Sequence, residues 1–401
     1  MFDNIIGQEN AIKLLVSDIE KNSLNNSIIF HGSKYTGKLS TALELTRIIN
    51  CLNTGNIDCN CSNCRSINEV NFKGLIFLSR RNFYYLLNEY IKCFKKNNNE
   101  FYLKKIINTI KIFLLPFQDF LINNSFNDSE KKQISFNIEK LSEIILYENL
   151  KLDEIDNLLI IINKLNSFYK SLNIPIQTIR NMLDWTYILL PDIKRVVIID
   201  HVDNLEKPSQ NILLKRLEEP SNNLYFILIA ENKNNIAKTV ISRCRCYYFR
   251  KLDKSCIKKI IENNFGKKQN YNTLEDFLLR DNKISKENIF PVILELINLI
   301  FSKEAPVSEL SLFLNSFNDR NYVKNILFEL KGILEREILR RETGFIEKAE
   351  MEILIKISYY NLKMINNIIS TKYKNIDLFN LNPILILEGI FYPIKAMVYN
   401  D

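Results

Sequence analysis

Two segments of this chain have the residue types for phosphate chemistry. Gly32–Ser33–Lys34–Tyr35–Thr36–Gly37–Lys38–Leu39 has the spacing Gly-x4-Gly-Lys. Glycines let backbone N–H groups turn toward a phosphate, and Lys38 adds a point charge for its outer oxygens. A helix starting at this point adds its dipole. The next position normally offers a hydroxyl to Mg²⁺, but Leu39 has no oxygen. Ser40 comes one residue later, about 100° round a helix, and is expected to point elsewhere. The second segment, Arg195–Val196–Val197–Ile198–Ile199–Asp200–His201, reads as a buried strand ending in an acid. Hydrolysing proteins with such a loop carry a second acid next, which orients the attacking water; here it is His201. An imidazole accepts a proton, but it does not supply a carboxylate's charge beside Mg²⁺. The expected role of His201 is that of a surface or packing histidine. The expected nucleotide-binding positions, of a degenerate kind, are Gly32, Gly37, Lys38 and Asp200. ATP and Mg²⁺ are poorly provided for, and no catalytic residue is expected in cis.

Metal chemistry is suggested by Cys51, Cys59, Cys61 and Cys64, spaced Cys-x7-Cys-x-Cys-x2-Cys. Four thiolates close a tetrahedral shell around Zn²⁺ and leave no position for water, so such a zinc is structural. It would staple the excursion Leu52–Asn63, which has too few apolar residues to fold alone. Cys93, Cys246 and Cys256 stand apart and read as ordinary thiols.

The elements that must position these residues are those of an α/β domain. Ser27–His31 is a short apolar run, expected to be a parallel strand, and a helical face follows from Lys38 to Cys51. Val196–Asp200 and Leu224–Ala230 read as two further buried strands. Between about 81 and 173 there is no glycine, and the only proline is Pro116. Helical stripes run through Leu103, Ile106, Ile110, Phe113, Phe117 and Phe120, and through Ile155, Leu158, Ile162, Leu165 and Leu172. These predict about four helices inserted into the domain, since so long a connection carries its own structure. Past Leu252 helices alone are expected, with breaks near Pro306, Gly344 and Pro383.

At 401 residues the chain is too long for one core. Only nine glycines and nine prolines favour helices over turn-rich β architecture. The net charge of +8 suits an anionic partner, but Lys and Asn are abundant everywhere and no basic block stands out. Met1–Asn10 lacks the basic-then-apolar pattern of a secretory signal, and no apolar run reaches membrane-spanning length. A cytoplasmic location is therefore expected, with thiols rather than disulfides.

Beyond these readings the chain resembles the bacterial DNA polymerase III clamp-loader subunits of the AAA+ class. The resemblance covers residues 1–80 and 174–252. Ile5–Ile6–Gly7–Gln8 resembles the N-terminal box bordering the adenine site, and the phosphate loop runs into the cysteine cluster as in these subunits. Ile176–Arg180 resembles the stretch before the second acidic motif. Asn211–Pro220 is similar to the family's most recognisable run, and Ile241–Ser242–Arg243–Cys244 to its Ser-Arg-Cys motif.

The resemblance implies three parts. An AAA+ domain would span 1–252, with a zinc module at 51–64; the helical insertion at 81–173, read from its own pattern, departs from the family and the resemblance says nothing about it. A small helical lid would span 253–286 and a helical oligomerisation collar 287–401. Within the family the chain is most similar to the non-hydrolysing delta-prime subunit. Leu39 and His201 replace catalytic groups, and Glu231–Asn232 stands where ATPase members carry threonines that sense the γ-phosphate. A carboxylate there repels phosphate. Arg243 is implied to be an arginine finger acting in trans on a neighbour's ATP. The implied partners are ATPase and delta subunits in a hetero-pentamer, with the sliding clamp and primed DNA reached through the complex, and no membrane. The chain would thus be part of a DNA-directed DNA polymerase holoenzyme without activity of its own. Two alternatives remain: an ATP-hydrolysing gamma/tau-like subunit, and a zinc-stabilised P-loop-like nucleic-acid-binding protein.

Overall fold

Continuous apolar runs build a five-stranded, all-parallel sheet. The strands are β1 (Ser27–Gly32), β2 (Leu75–Leu78), β3 (Arg195–Ile199), β4 (Leu224–Ala230) and β5 (Arg245–Phe249), in the order β2-β3-β4-β1-β5. In the register, Ile28 pairs with Ile227, Phe77 with Ile198 and Phe30 with Tyr247. Helices cover both faces, so successive residues of one strand enter opposite cores. Phe30, Phe77, Ile198 and Ile229 join one core, while Ile29, Ile76, Val197 and Leu228 join the other. The structure, a computed structural model, describes all residues except 124, 147–151, 169–173, 189, 191, 220, 222, 281–285, 302–305, 315–319, 344–356, 380–382 and 401. Leu172, Pro220 and Gly344, named above, lie outside the described residues.

The sequence reading placed three strands; the sheet also contains β2 and β5. β2 is only four residues, Leu-Ile-Phe-Leu, wholly buried at one edge of the sheet. β5 forms the other edge, where Arg245 and Tyr248 are exposed while Tyr247 and Phe249 enter the core. Its alternation is that of a half-covered edge strand rather than a buried run.

The described residues from 81 to 173 include four long helices, Tyr84–Asn97, Glu100–Leu114, Asp128–Leu146 and Leu152–Ser167, with short turns at Leu115–Phe117 and Asp119–Ile122. Leu87, Ile91, Ile106, Ile110, Ile134, Leu158 and Ile162 extend the same core that receives Phe30 and Phe77. Helices Lys254–Phe265 and Leu274–Leu279 join it through Ile257, Ile261, Phe265 and Phe277, and Tyr90 stacks on Phe265 at 5.1 Å.

The chain divides into two units, Met1–Leu278 and Leu279–Asp401. The second has its own core among helices Lys286–Phe301, Val307–Leu314, Arg320–Thr343, Tyr359–Phe379 and Pro383–Asn400, centred on Leu296, Leu327, Leu362 and Phe391. No helix among the described residues is long and apolar enough to cross a membrane.

Candidate functional site

Because all strands run parallel, their carboxyl ends share one edge, where ligands bind in open α/β sheets. Gly32, Ser79, Asp200 and Glu231 gather there from four different strands. Gly32 has φ 137°, and a Cβ on it would lie 2.0 Å from the carbonyl oxygen of Phe249, so no side chain fits. Gly37 has φ 91° and caps the helix Lys38–Asn50. Lys38 is buried and donates to the carbonyls of Gly32 at 2.5 Å and Ser33 at 2.6 Å. Burial lowers its pKa to about 8. Leu39 packs on the core, while Ser40 is exposed. At the N-terminus, Gln8 exchanges two hydrogen bonds with the backbone of Arg250, both at 2.9 Å, which ties the Ile5–Gln8 box to the end of β5.

Asp200 is 1% exposed and is held by an arginine that the sequence reading missed. Arg81 donates from Nε to Oδ2 at 2.8 Å and from Nη2 to Oδ1 at 3.0 Å. Ser79 Oγ donates to Oδ2 at 3.1 Å, and the His201 amide to Oδ1 at 3.1 Å. Burial alone would raise the Asp200 pKa, but Arg81 and His201 hold it well below the usual carboxylate range. Only once Leu75–Leu78 is known to be a strand does Ser79–Arg81 fall at its carboxyl end.

His201 is not the surface or packing histidine expected after the strand. Its Nδ1 is 3.3 Å from Asp200 Oδ2 and its Nε2 is 3.6 Å from Glu231 Oε1. Burial disfavours its charged form, yet the Asp200 carboxylate outweighs this and raises the pKa to about 9. Glu231 also faces Lys34 at 3.9 Å. A chain of alternating charge, Arg81–Asp200–His201–Glu231–Lys34, therefore crosses the carboxyl edge from β2 to the phosphate loop. Its residues do not fit a magnesium–nucleotide complex, since Leu39 offers no oxygen and both Asp200 oxygens are already bridged.

Arg243 follows the short helix Lys238–Ile241. It donates to Glu218 Oε1 at 2.8 Å and to the Thr239 carbonyl at 2.8 Å. Its side chain is 29% exposed and that of Glu218 56%.

The four cysteine sulfurs lie within 4.8 Å of one another. A zinc with Zn–S bonds of about 2.3 Å has sulfur–sulfur edges of about 3.8 Å, so the set fits a Cys₄ shell. Amides of Asn53 and Gly55 donate to Cys51 Sγ at 3.4 and 3.3 Å, and the Cys64 amide to Cys61 Sγ at 3.5 Å. Such bonds favour the thiolate that a metal needs, and the backbone bonds lower the Cys61 pKa to about 6. The cluster is fixed to the phosphate-loop helix by Arg47, and that helix is fixed to the entry of β3 by Asn50, which exchanges two 2.9 Å hydrogen bonds with the Lys194 backbone.

The family model described as "DNA polymerase III, delta subunit" matches residues 7–131 and 147–253, more than half of the chain. The chain belongs to this DNA polymerase III delta subunit family. Its resemblance to bacterial clamp-loader subunits, seen in the motifs, thus holds at the level of the family. Over 69 residues the chain is 45% identical to DNA polymerase III subunit gamma/tau of Mycoplasma genitalium, covering 17% of this chain and 12% of that protein. It is 41% identical over 69 residues to subunit delta' of Bacillus subtilis, covering 17% of this chain and 21% of that protein. The chain therefore spans less than a quarter of either relative's own length. A solved gamma subunit-related protein from Thermotoga maritima aligns over 57% of this chain and 81% of its own at 15% identity, with a TM-score of 0.31.

Proposed function

We propose that this delta subunit family member is a delta-prime-like part of the DNA polymerase III clamp loader, which helps load the sliding clamp on primed DNA without hydrolysing ATP itself. The observation that carries this reading is the Asp200 carboxylate, bridged by Arg81 and flanked by His201 where hydrolysing members need a second acid. Leu39 and Glu231 add to it at two other motifs. The matched relatives include both gamma/tau and delta' subunits, so the distinction rests on these residues.

In this reading Arg243 reaches the ATP of a neighbouring ATPase subunit. Its pairing with Glu218 is compatible with that role, because an exposed ion pair is worth under about 1 kcal/mol and is readily exchanged for a phosphate. The cysteines Cys51, Cys59, Cys61 and Cys64 hold a structural zinc. Residues 253–286 serve as the lid and 287–401 as the collar that joins the ring of ATPase and delta subunits. The test is reconstitution. The chain is mixed with its candidate ATPase partner, and complex formation and DNA-stimulated hydrolysis are measured with and without it. Hydrolysis by the purified chain alone favours the gamma/tau-like alternative. DNA binding with no capture of loader subunits favours the separate nucleic-acid-binding protein.

A further inference from the structure

In a hydrolysing phosphate-loop site, the strand-end aspartate faces a divalent cation that is also held by the hydroxyl following the loop lysine. Here position 39 is a leucine that packs on the core. Magnesium requires near-octahedral oxygen ligands and retains several waters. The Asp200 carboxylate, buried and accepting from Arg81 on both oxygens, has no free edge to offer such an ion.

We propose that Arg81 is a resident cation, which takes beside Asp200 the place of the divalent metal and closes this loop to metal–nucleotide complexes. Three observations support the assignment. The guanidinium makes the planar two-bond fork that matches a carboxylate, a geometry lysine does not reproduce. Ser79 braces the pair, since its hydroxyl donates to Asp200 at 3.1 Å and accepts from the Arg81 amide at 3.0 Å. The arginine is thereby fixed by its backbone as well as its side chain. Finally, Arg81 also acts electrostatically on Lys38 and Tyr35, which places its charge close to the phosphate loop. The consequence is a site neutralised by its own chain, whose form does not change with Mg²⁺. This depends on the site alone and not on the partner assembly.

Binding of Mn²⁺ by the full-length chain in the presence of ADP, followed by electron paramagnetic resonance, tests the proposal. In the natural chain, ADP affinity is expected to be the same in Mn²⁺ as in EDTA, and Asp200→Asn to leave Mn²⁺ binding unchanged. Arg81→Gln is expected to tighten Mn²⁺ binding by roughly tenfold or more, and Asp200→Asn in the same chain to remove that gain. Mn²⁺ binding by the natural chain that Asp200→Asn abolishes would overturn the proposal. So would a folded Arg81→Gln chain, checked by circular dichroism, that gains nothing. Leu39→Thr provides an arm that leaves Arg81 in place. With the hydroxyl restored but Asp200 still bridged, it is expected to bind no Mn²⁺–ADP, and binding by that variant counts against the resident cation.

Discussion

Arg47 donates to Cys64 Sγ at 3.4 Å while its other edge grips Glu44, and both charged residues are buried. All five guanidinium N–H groups are used. Nε and Nη2 reach Glu44 at 3.0 and 2.6 Å, Nη2 reaches the Gly55 carbonyl at 3.0 Å, and Nη1 reaches the Asn56 carbonyl at 2.9 Å and the sulfur. One side chain thus ties the phosphate-loop helix to the cysteine excursion. Arg47→Lys keeps the charge but not the five-donor fork. Zinc affinity, measured by competition with a chromophoric chelator, is expected to fall by roughly 10–100-fold. Full affinity in Arg47→Lys would mean that charge alone suffices.

Much of this arrangement was legible in the sequence because it rests on local rules. The loop glycines, the buried runs of β1, β3 and β4, and the four cysteines are each readable within a short stretch of sequence. What escaped was long-range. β2 is too short to show periodicity, so Arg81 had no strand to belong to, and its partner Asp200 lies 119 positions away. His201 was read as bland because no sequence rule places β4 between β1 and β3, which brings Glu231 to its ring. Arg47 carries no signal in the sequence, since only the folded excursion brings carbonyls and a sulfur to its guanidinium.

The Arg243–Glu218 pair separates a role in trans from a structural one. The pair is partly exposed, so Glu218→Ala is expected to change stability by under about 1 kcal/mol. It is also expected to leave the reconstituted loader's ATPase unchanged or raised, since Arg243 is released. Arg243→Ala is expected to lower that ATPase by about tenfold or more, in line with arginine fingers elsewhere. Steady-state hydrolysis with primed DNA reads both variants. Unchanged hydrolysis in Arg243→Ala would remove the finger from the proposed function.

His201 makes stability depend on pH in a defined direction. Its folded pKa, about 9, lies above the usual imidazole value near 6.5. Between those values the folded chain holds the proton and the unfolded chain does not, so stability falls as pH rises. The contribution is fully present below about pH 6.5 and is lost as pH passes about 9. His201→Gln is expected to cost about 1–3 kcal/mol at pH 6 and much less at pH 9.5. Urea denaturation at both values checks this, and equal losses would show that the ring acts through packing alone.

The last prediction concerns Glu89, which joins the helical insertion to the segment past Leu252. Its carboxylate is fully buried, with Lys267 at 3.1 Å and Lys92 at 3.6 Å. Lys267 lies beyond the helix Lys254–Phe265, whose Phe265 stacks on Tyr90. The polar and aromatic contacts therefore hold the helix Tyr84–Asn97 against the carboxyl end of helix Lys254–Phe265 and the residues just past it. Removing one partner of a buried pair costs roughly 3–5 kcal/mol when the other charge is stranded. Both lysines here are about one-third exposed and can turn to water. The expected cost of Glu89→Ala is therefore about 1–3 kcal/mol, with a lower urea midpoint and an unchanged slope. Lys267→Ala, which strands the carboxylate instead, is expected to cost at least as much unless Lys92 takes over. The double variant then measures the coupling directly. Strict additivity would mean that Glu89 and Lys267 act independently.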